Sequence, residues 1–212
     1  MIDPKNITNF GLDRRQLQEY LLFWIAVAGK KASTIAPRID NVLTEGYREL
    51  GHRGPRVPYK IVTELGWERL RALLKQNGIG CHGGKAQAMI DVANSGFDLK
   101  TCTRDDLITI KGISFKTANC FLMHSRKDSM CAAFDTHLLK FMRAMGVDKV
   151  PDQAPQTLRQ HERLEKEFLK ISNKVGLSPA YLDLITWRLY AHHSHHTRTF
   201  LAAVKQRMKS NI

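Results

Sequence analysis

Two side chains in the middle of the chain combine residue type and position in a way that suits covalent chemistry. Lys116 lies in the first turn of the helical string FKTANCFLMH, and Asp135, 19 residues further on, heads the string THLLKFMRAMG. Each stands at the N-terminal end of a predicted helix, where the aligned peptide dipoles favour negative charge. That field is expected to keep a carboxylate at Asp135 ionised and to push the Lys116 amine toward its neutral, nucleophilic form. A fixed anion and a nucleophilic amine suit a reaction in which a carbon becomes electron-deficient and nitrogen captures it. Each residue also has a plainer reading. Asp135 before Thr136 is an ordinary N-cap, and Lys116 alone reads as a solvated or phosphate-contacting lysine. Asp135 can do both jobs.

The elements that must position this pair are legible around it. Thr103, with Asp106 three residues on, marks a capping box at the start of a short helix over 102–110. IKGIS, Ile110 to Ser114, then turns the chain tightly into the helix that carries Lys116. The turn's backbone N–H groups and those of the second helix's first turn point to one spot, which makes an anion site. A glycine turn between helices is also a commonplace connector. Elsewhere the periodicity is helical throughout. Asp13 caps a helix through Leu17, Tyr20, Leu21, Trp24, Ile25 and Ala28 that stops at Gly29, and its apolar face widens to all sides near its end. Ser33 or Thr34 is expected to cap the next helix, with Pro37 in its first turn. GHRGPRVPY, Gly51 to Tyr59, breaks the pattern as a loop that offers Arg53 and Arg56 as a basic contact surface. A helix over 59–74 and a glycine-rich return over 78–84 lead to a helix beginning near Lys85. The Asp135 helix ends at Gly146. A long helix with Leu164, Phe168, Ile171 and Val175 on one face follows, then one capped by Ser178 with Pro179 at its first position, then a basic helix over 200–209. The fold class is all-α, about ten helices with no strand.

Composition narrows the partners. The 212 residues carry 33 Lys+Arg against 20 Asp+Glu, a formal charge of +13. That exceeds the roughly 2 to 8 typical of a small soluble domain and suits a polyanion, nucleic acid before membrane or acidic protein. The plainer alternative is a solubility feature. With 43% hydrophobic and 25% charged residues the chain is of ordinary globular composition, which excludes disorder as its main state. The longest apolar run, LLFWIAVAG, falls far short of the roughly 20 residues a membrane helix needs. With no secretory pattern at MIDPKNITNF, a cytoplasmic, nucleoid-associated location is expected. Cys81, Cys102, Cys120 and Cys131 form no close-pair metal motif and read as reduced thiols. HHSHH, His192 to His196, reads as a basic, phosphate-contacting surface, with a metal site as the alternative.

The string IKGISFKTANCFL followed by AAFDTHLLKFMRAMG resembles the signature of the helix-hairpin-helix base-excision DNA glycosylases, the superfamily of endonuclease III and 8-oxoguanine DNA glycosylase. There a Leu-Pro-Gly-Val-Gly hairpin precedes Lys-Thr-Ala and, some twenty residues on, an Asp-x-His step. Lys116-Thr117-Ala118 and Asp135-Thr136-His137 match in order and distance. LLFWIAVAGKKAS resembles the buried helix leading to the turn that fills the gap left by the flipped base, and GIGCHGGKAQAMI, LEKEFLKI and LDLITWRLYAH extend the likeness over about residues 15 to 195. Lys111 stands where the family has proline and Ser114 where it has the second glycine. The four-cysteine cluster motif of endonuclease III is missing, so no cofactor and no iron-sulfur cluster are expected; a monovalent ion at the hairpin is compatible with the reading.

The resemblance implies a two-lobed helical glycosylase that binds double-stranded DNA as a monomer, its active-site cleft between the lobes. One lobe would combine residues 1–30 with 147–212. The other would span 31–146, with the hairpin at 103–124 and the aspartate helix at 135–145. Lys116 and Asp135 are the implied catalytic residues, the lysine adding strand cleavage through a Schiff base and β-elimination. Lys30, Lys31, Ser33, Lys111, Gly112, Ser114, Thr117, Arg53 and Arg56 are the implied DNA contacts, and Phe23 and Trp24 border the base pocket. FWIAVAGK and YLDLITW also resemble a bacterial and phage-associated branch linked to hypermodified pyrimidines, implying antiphage defence. An 8-oxoguanine repair enzyme is the alternative substrate reading. A non-catalytic module that uses the hairpin only to hold phosphate is the alternative of another class.

Overall fold

The computed structural model describes residues 2–191 and 195–210, and among these it contains ten helices and no strand. They form two compact units, residues 1–121 and 122–212.

The first unit is built around α1 (Arg14–Val27). Asp13 starts it with a full capping box, its Oδ1 accepting from the Arg15 and Gln16 amides while the Gln16 side chain accepts from the Asp13 amide. The last seven residues of α1, Leu21 to Val27, are all buried, as the all-round apolar sequence predicts. Tyr20, Phe23, Trp24 and Phe121 form an aromatic cluster there. Burial of each such side chain contributes about 1.5–3 kcal/mol, so α1 is held by its surroundings and not by its own propensity. Those surroundings are α2 (Ala32–Glu49), α3 (Pro58–Gln76) and α4 (His82–Asn94), which all pack on α1.

Three boundaries depart from the sequence expectation. The second helix starts at Ala32 after Lys31, without a side-chain cap, so Ser33 and Thr34 lie inside its first turn and Pro37 in its second. The expected 59–74 helix is broken at Gly66, whose φ of 67° and ψ of 172° no helix contains. The helix expected to begin near Lys85 starts at His82, after Cys81 in a left-handed backbone conformation.

The second unit contains the end of α6 (Phe115–Ser125) followed by α7 (Thr136–Ala144), α8 (Leu158–Val175), α9 (Pro179–Ala191) and α10 (Thr197–Ser210). Its core gathers Phe134, Leu138, Phe141, Leu164, Phe168, Ile171, Val175 and Leu182, which includes the whole predicted stripe of α8. Thr157 caps α8, and Gly176 closes it in the left-handed conformation. The units are consecutive stretches of chain. Within the first of them α1 buries its apolar surface on α2, α3 and α4. No described helix is long and apolar enough to cross a membrane.

Candidate active site

The hairpin runs from α5 (Arg104–Ile108) through the turn 109–114 into α6. Thr103 and Asp106 complete the predicted capping box on α5. Gly112 has a φ of 99°, and a Cβ added there would stand 3.3 Å from the Ala88 Cβ on α4. The turn thus requires glycine for its backbone and for its close approach to α4. The Ile113 amide closes it onto the Ile110 carbonyl at 3.0 Å, and the Ile113 side chain is buried. Lys111 and Lys116 are both exposed on either side of the turn. The amides of Gly112, Ser114 and Lys116 make no hydrogen bond to a described residue.

Two expected DNA contacts have other work. The Ser114 hydroxyl accepts from the Thr117 amide and pairs with the Thr117 hydroxyl, both at 3.2 Å, making Ser114 the N-cap of α6. Thr117 is only 5% exposed. Ser114 instead of a second glycine therefore stiffens the start of the lysine's helix.

Asp135 caps α7. Its Oδ1 accepts from the His137 amide at 2.9 Å and the Leu138 amide at 2.8 Å. Its other carboxylate oxygen, Oδ2, has no hydrogen bond to a described residue, and the side chain is partly exposed. One oxygen holds the helix, and no described residue engages the other. The segment before it is anchored from α8. Glu165 accepts from the Ala132 amide at 2.8 Å, and the His161 ring stacks edge-on to buried Phe134 at 5.1 Å. Neither Glu165 nor His161 is flagged by sequence patterning, since each interrupts an apolar helical face that is otherwise ordinary.

Lys30, Lys31 and Ser33 lie exposed at the α1–α2 connection, where Gly29 has a φ of 74°. The N-terminal part of α4 lies between this connection and the hairpin. Gly80, just before α4, approaches Lys30 to within 3.4 Å of Cε as measured from an added Cβ, while Ala88 on α4 meets Gly112. The structure thus gathers Lys30 and the hairpin turn around one helix. It also shows a residue that the sequence reading missed. Lys85 is 7% exposed, and its Nζ donates to the Ala26 carbonyl at 2.6 Å and the Ala28 carbonyl at 3.2 Å. Burial pushes the Lys85 ammonium below its ordinary range; the Cys81 thiol opposes this and the Lys30 charge adds to it. A lysine at the foot of a glycine-rich return, with Ala88 and Met89 on the same buried face, is the signal that was available.

Other expected site residues are engaged within the protein. Arg56 is not a free contact cation. Its guanidinium donates to Asp40 at 2.8 Å, Glu19 at 3.1 Å and Thr44 at 2.9 Å, which fastens the 51–57 loop to α1 and α2. Arg53 in the same loop is exposed and carries no bond to a described residue. Phe23 is 0% exposed and Trp24 7%, on a helix that packs against α2, α3 and α4. Of the HHSHH string, residues 192–194 lie outside the described residues, and His195 and His196 are exposed. Among the described residues no group of three or more His, Cys, Asp or Glu could hold a metal ion.

With this geometry the chain is similar to 8-oxoguanine glycosylase/lyase of Methanocaldococcus jannaschii, solved in complex with a 15mer DNA containing 8-oxoguanine. The likeness covers 89% of this chain and 87% of that one, with a TM-score of 0.62 and 21% sequence identity. The fold is that of a helix-hairpin-helix DNA glycosylase. No protein-family model and no curated protein matches the sequence. On this glycosylase fold Lys116 belongs to the first unit and Asp135 to the second.

Proposed function

We propose that the protein is a DNA glycosylase that excises a modified base from double-stranded DNA and then cleaves the strand with Lys116. The observation that carries the reading is the exposed lysine in the first turn of the hairpin helix, on a fold shared with a glycosylase/lyase. Breaking an N-glycosidic bond leaves positive charge on the sugar, and a carboxylate oxygen at Asp135 stabilises it. The Lys116 amine forms a bond to C1′ as the bond from C1′ to the base breaks and its electrons leave with the base. The sugar ring then opens as the bond from C1′ to O4′ breaks, O4′ taking up a proton and the amine losing one, which leaves a Schiff base at C1′. This acidifies C2′, and loss of the C2′ proton breaks the bond from C3′ to its phosphate oxygen and expels the phosphate. Water then releases the lysine. The hairpin amides and Lys111 hold the DNA backbone, while the connection at Lys30 and Lys31 supports the duplex around the extruded nucleotide.

For the substrate, the likeness of FWIAVAGK and YLDLITW to the phage-associated branch favours a hypermodified pyrimidine, with excision serving antiphage defence. The structural neighbour, solved with 8-oxoguanine DNA, favours 8-oxoguanine and genome repair as the second reading. The test is incubation with 8-oxoguanine duplexes and with phage DNAs carrying hypermodified cytosine or thymine, counting abasic sites in each. Abasic sites in one arm assign the substrate. A shift in DNA mobility with every base left in place would instead make the protein a non-catalytic binder. Borohydride should trap a protein–DNA adduct with the wild type and none with Lys116→Ala; full strand cleavage by that variant would remove the lyase half.

A further inference from the structure

The α1–α2 connection presents three exposed polar side chains, Lys30, Lys31 and Ser33, yet little within it fixes its shape. Gly29 lies at positive φ, α2 begins without a side-chain cap, and α1 has no basic residue in its last turn to meet its terminal carbonyls. The missing charge comes from another helix. Lys85, in the first turn of α4, reaches the carbonyls of Ala26 and Ala28 with its Nζ, which makes no other hydrogen bond to a described residue. Ala28 is the C-cap of α1, and Lys30 follows two residues later with its amide closed onto the Val27 carbonyl at 2.8 Å. A buried ammonium on two terminal carbonyls satisfies groups that an apolar side chain would leave unpaired, and it places positive charge where the helix dipole is negative.

We infer that Lys85 is the positioning residue of the DNA-facing connection: it holds the end of α1 so that Lys30 and Lys31 are presented in a fixed place, without itself touching DNA. The inference rests on the glycosylase reading, in which this connection fills the gap left by the extruded base. Because α4 also packs against Gly112 through Ala88 in its middle, it fixes the gap-filling turn and the phosphate-holding hairpin relative to each other within the first unit.

The experiment compares binding of wild type, Lys85→Met, Lys85→Arg and Lys30→Ala to two duplexes, one intact and one carrying a tetrahydrofuran abasic-site analogue, over a range of salt. Wild type should prefer the gapped duplex. Lys85→Met should bind that duplex about tenfold more weakly, as expected for two carbonyls losing a charged donor, and should bind the intact duplex unchanged. Its salt slope should equal that of wild type, whereas Lys30→Ala, if Lys30 meets a phosphate, should lose about 0.9 of slope. Lys85→Arg should restore the preference. A merely structural lysine would lower thermal stability and reduce binding to both duplexes alike. Equal preference in Lys85→Met and wild type overturns the assignment, as does a drop in salt slope in Lys85→Met, which would make Lys85 a DNA contact. If Lys85→Met does not fold, Lys85→Gln takes its place with the same outcomes. A wild type with no preference for the gapped duplex sinks the gap-filling reading itself, and the assignment with it.

Discussion

At the scale of single residues, Asp135 is the side chain whose two roles can be separated. Asparagine keeps an oxygen for the His137 and Leu138 amides but removes the charge, so Asp135→Asn should fold as wild type and release no base. Asp135→Ala should in addition lose about 1 kcal/mol of stability with the cap. Melting curves beside an abasic-site assay check both, and a fully active Asp135→Asn would remove the carboxylate from the chemistry. Gly112→Ala is expected to destabilise the hairpin, since alanine is strained at a φ of 99° and its Cβ crowds Ala88 at 3.3 Å. Its DNA affinity should fall at all sequences alike in a gel-shift titration. Residue type and spacing made Lys116, Asp135 and Gly112 legible, because each is tied to a local feature, a helix start or a turn. The internal partners of Arg56, Ser114 and Thr117 were not legible. Asp40 and Glu19 meet Arg56 from other helices, and nothing in a list of basic and polar residues reveals such pairing.

At the scale of elements, caps written within a few residues were readable and breaks set by packing were not. The Asp13 and Thr103–Asp106 starts follow from side chains that reach their own backbone. The interruption at Gly66 and the early start of α4 depend on how α2, α3 and α4 pack; a Cβ on Gly46 of α2, for example, would meet Leu65 at 2.7 Å and Ile61 at 2.9 Å. The caps carry a pH signature. The Gln16 amide holds the Asp13 carboxyl below its ordinary range, and the Thr103 amide and hydroxyl do the same for Asp106. Protons bind these groups more weakly in the folded than in the unfolded state. Their contribution is therefore complete above the usual carboxylate pKa of about 4 and is lost as pH falls through the lower folded values. Protection of the Gln16 and Thr103 amides relative to their intrinsic exchange rates should hold at neutral pH and fall below about pH 4, ahead of the helix interiors. Protection that persists through that range would show that neither cap depends on charge.

At the scale of the molecule, the surplus charge is shared between the units. Residues 1–121 hold 18 Lys+Arg against 12 Asp+Glu, and 122–212 hold 15 against 8. The excess is therefore no property of the hairpin alone, and DNA affinity should fall steeply with salt, by several units of log K per unit of log salt if several phosphates are met. A nearly flat salt dependence would return the charge to a solubility role. The all-helical class followed from periodicity, which every helix states locally; the division into units is set by packing between helices, as where α2, α3 and α4 enclose α1. That division governs the order of synthesis. Because each unit is one unbroken stretch, the ribosome delivers the whole of residues 1–121 before the second unit is complete, and domains generally fold as they emerge. The unit that carries Lys116 is thus delivered ahead of the unit that carries Asp135, 19 residues further along the chain.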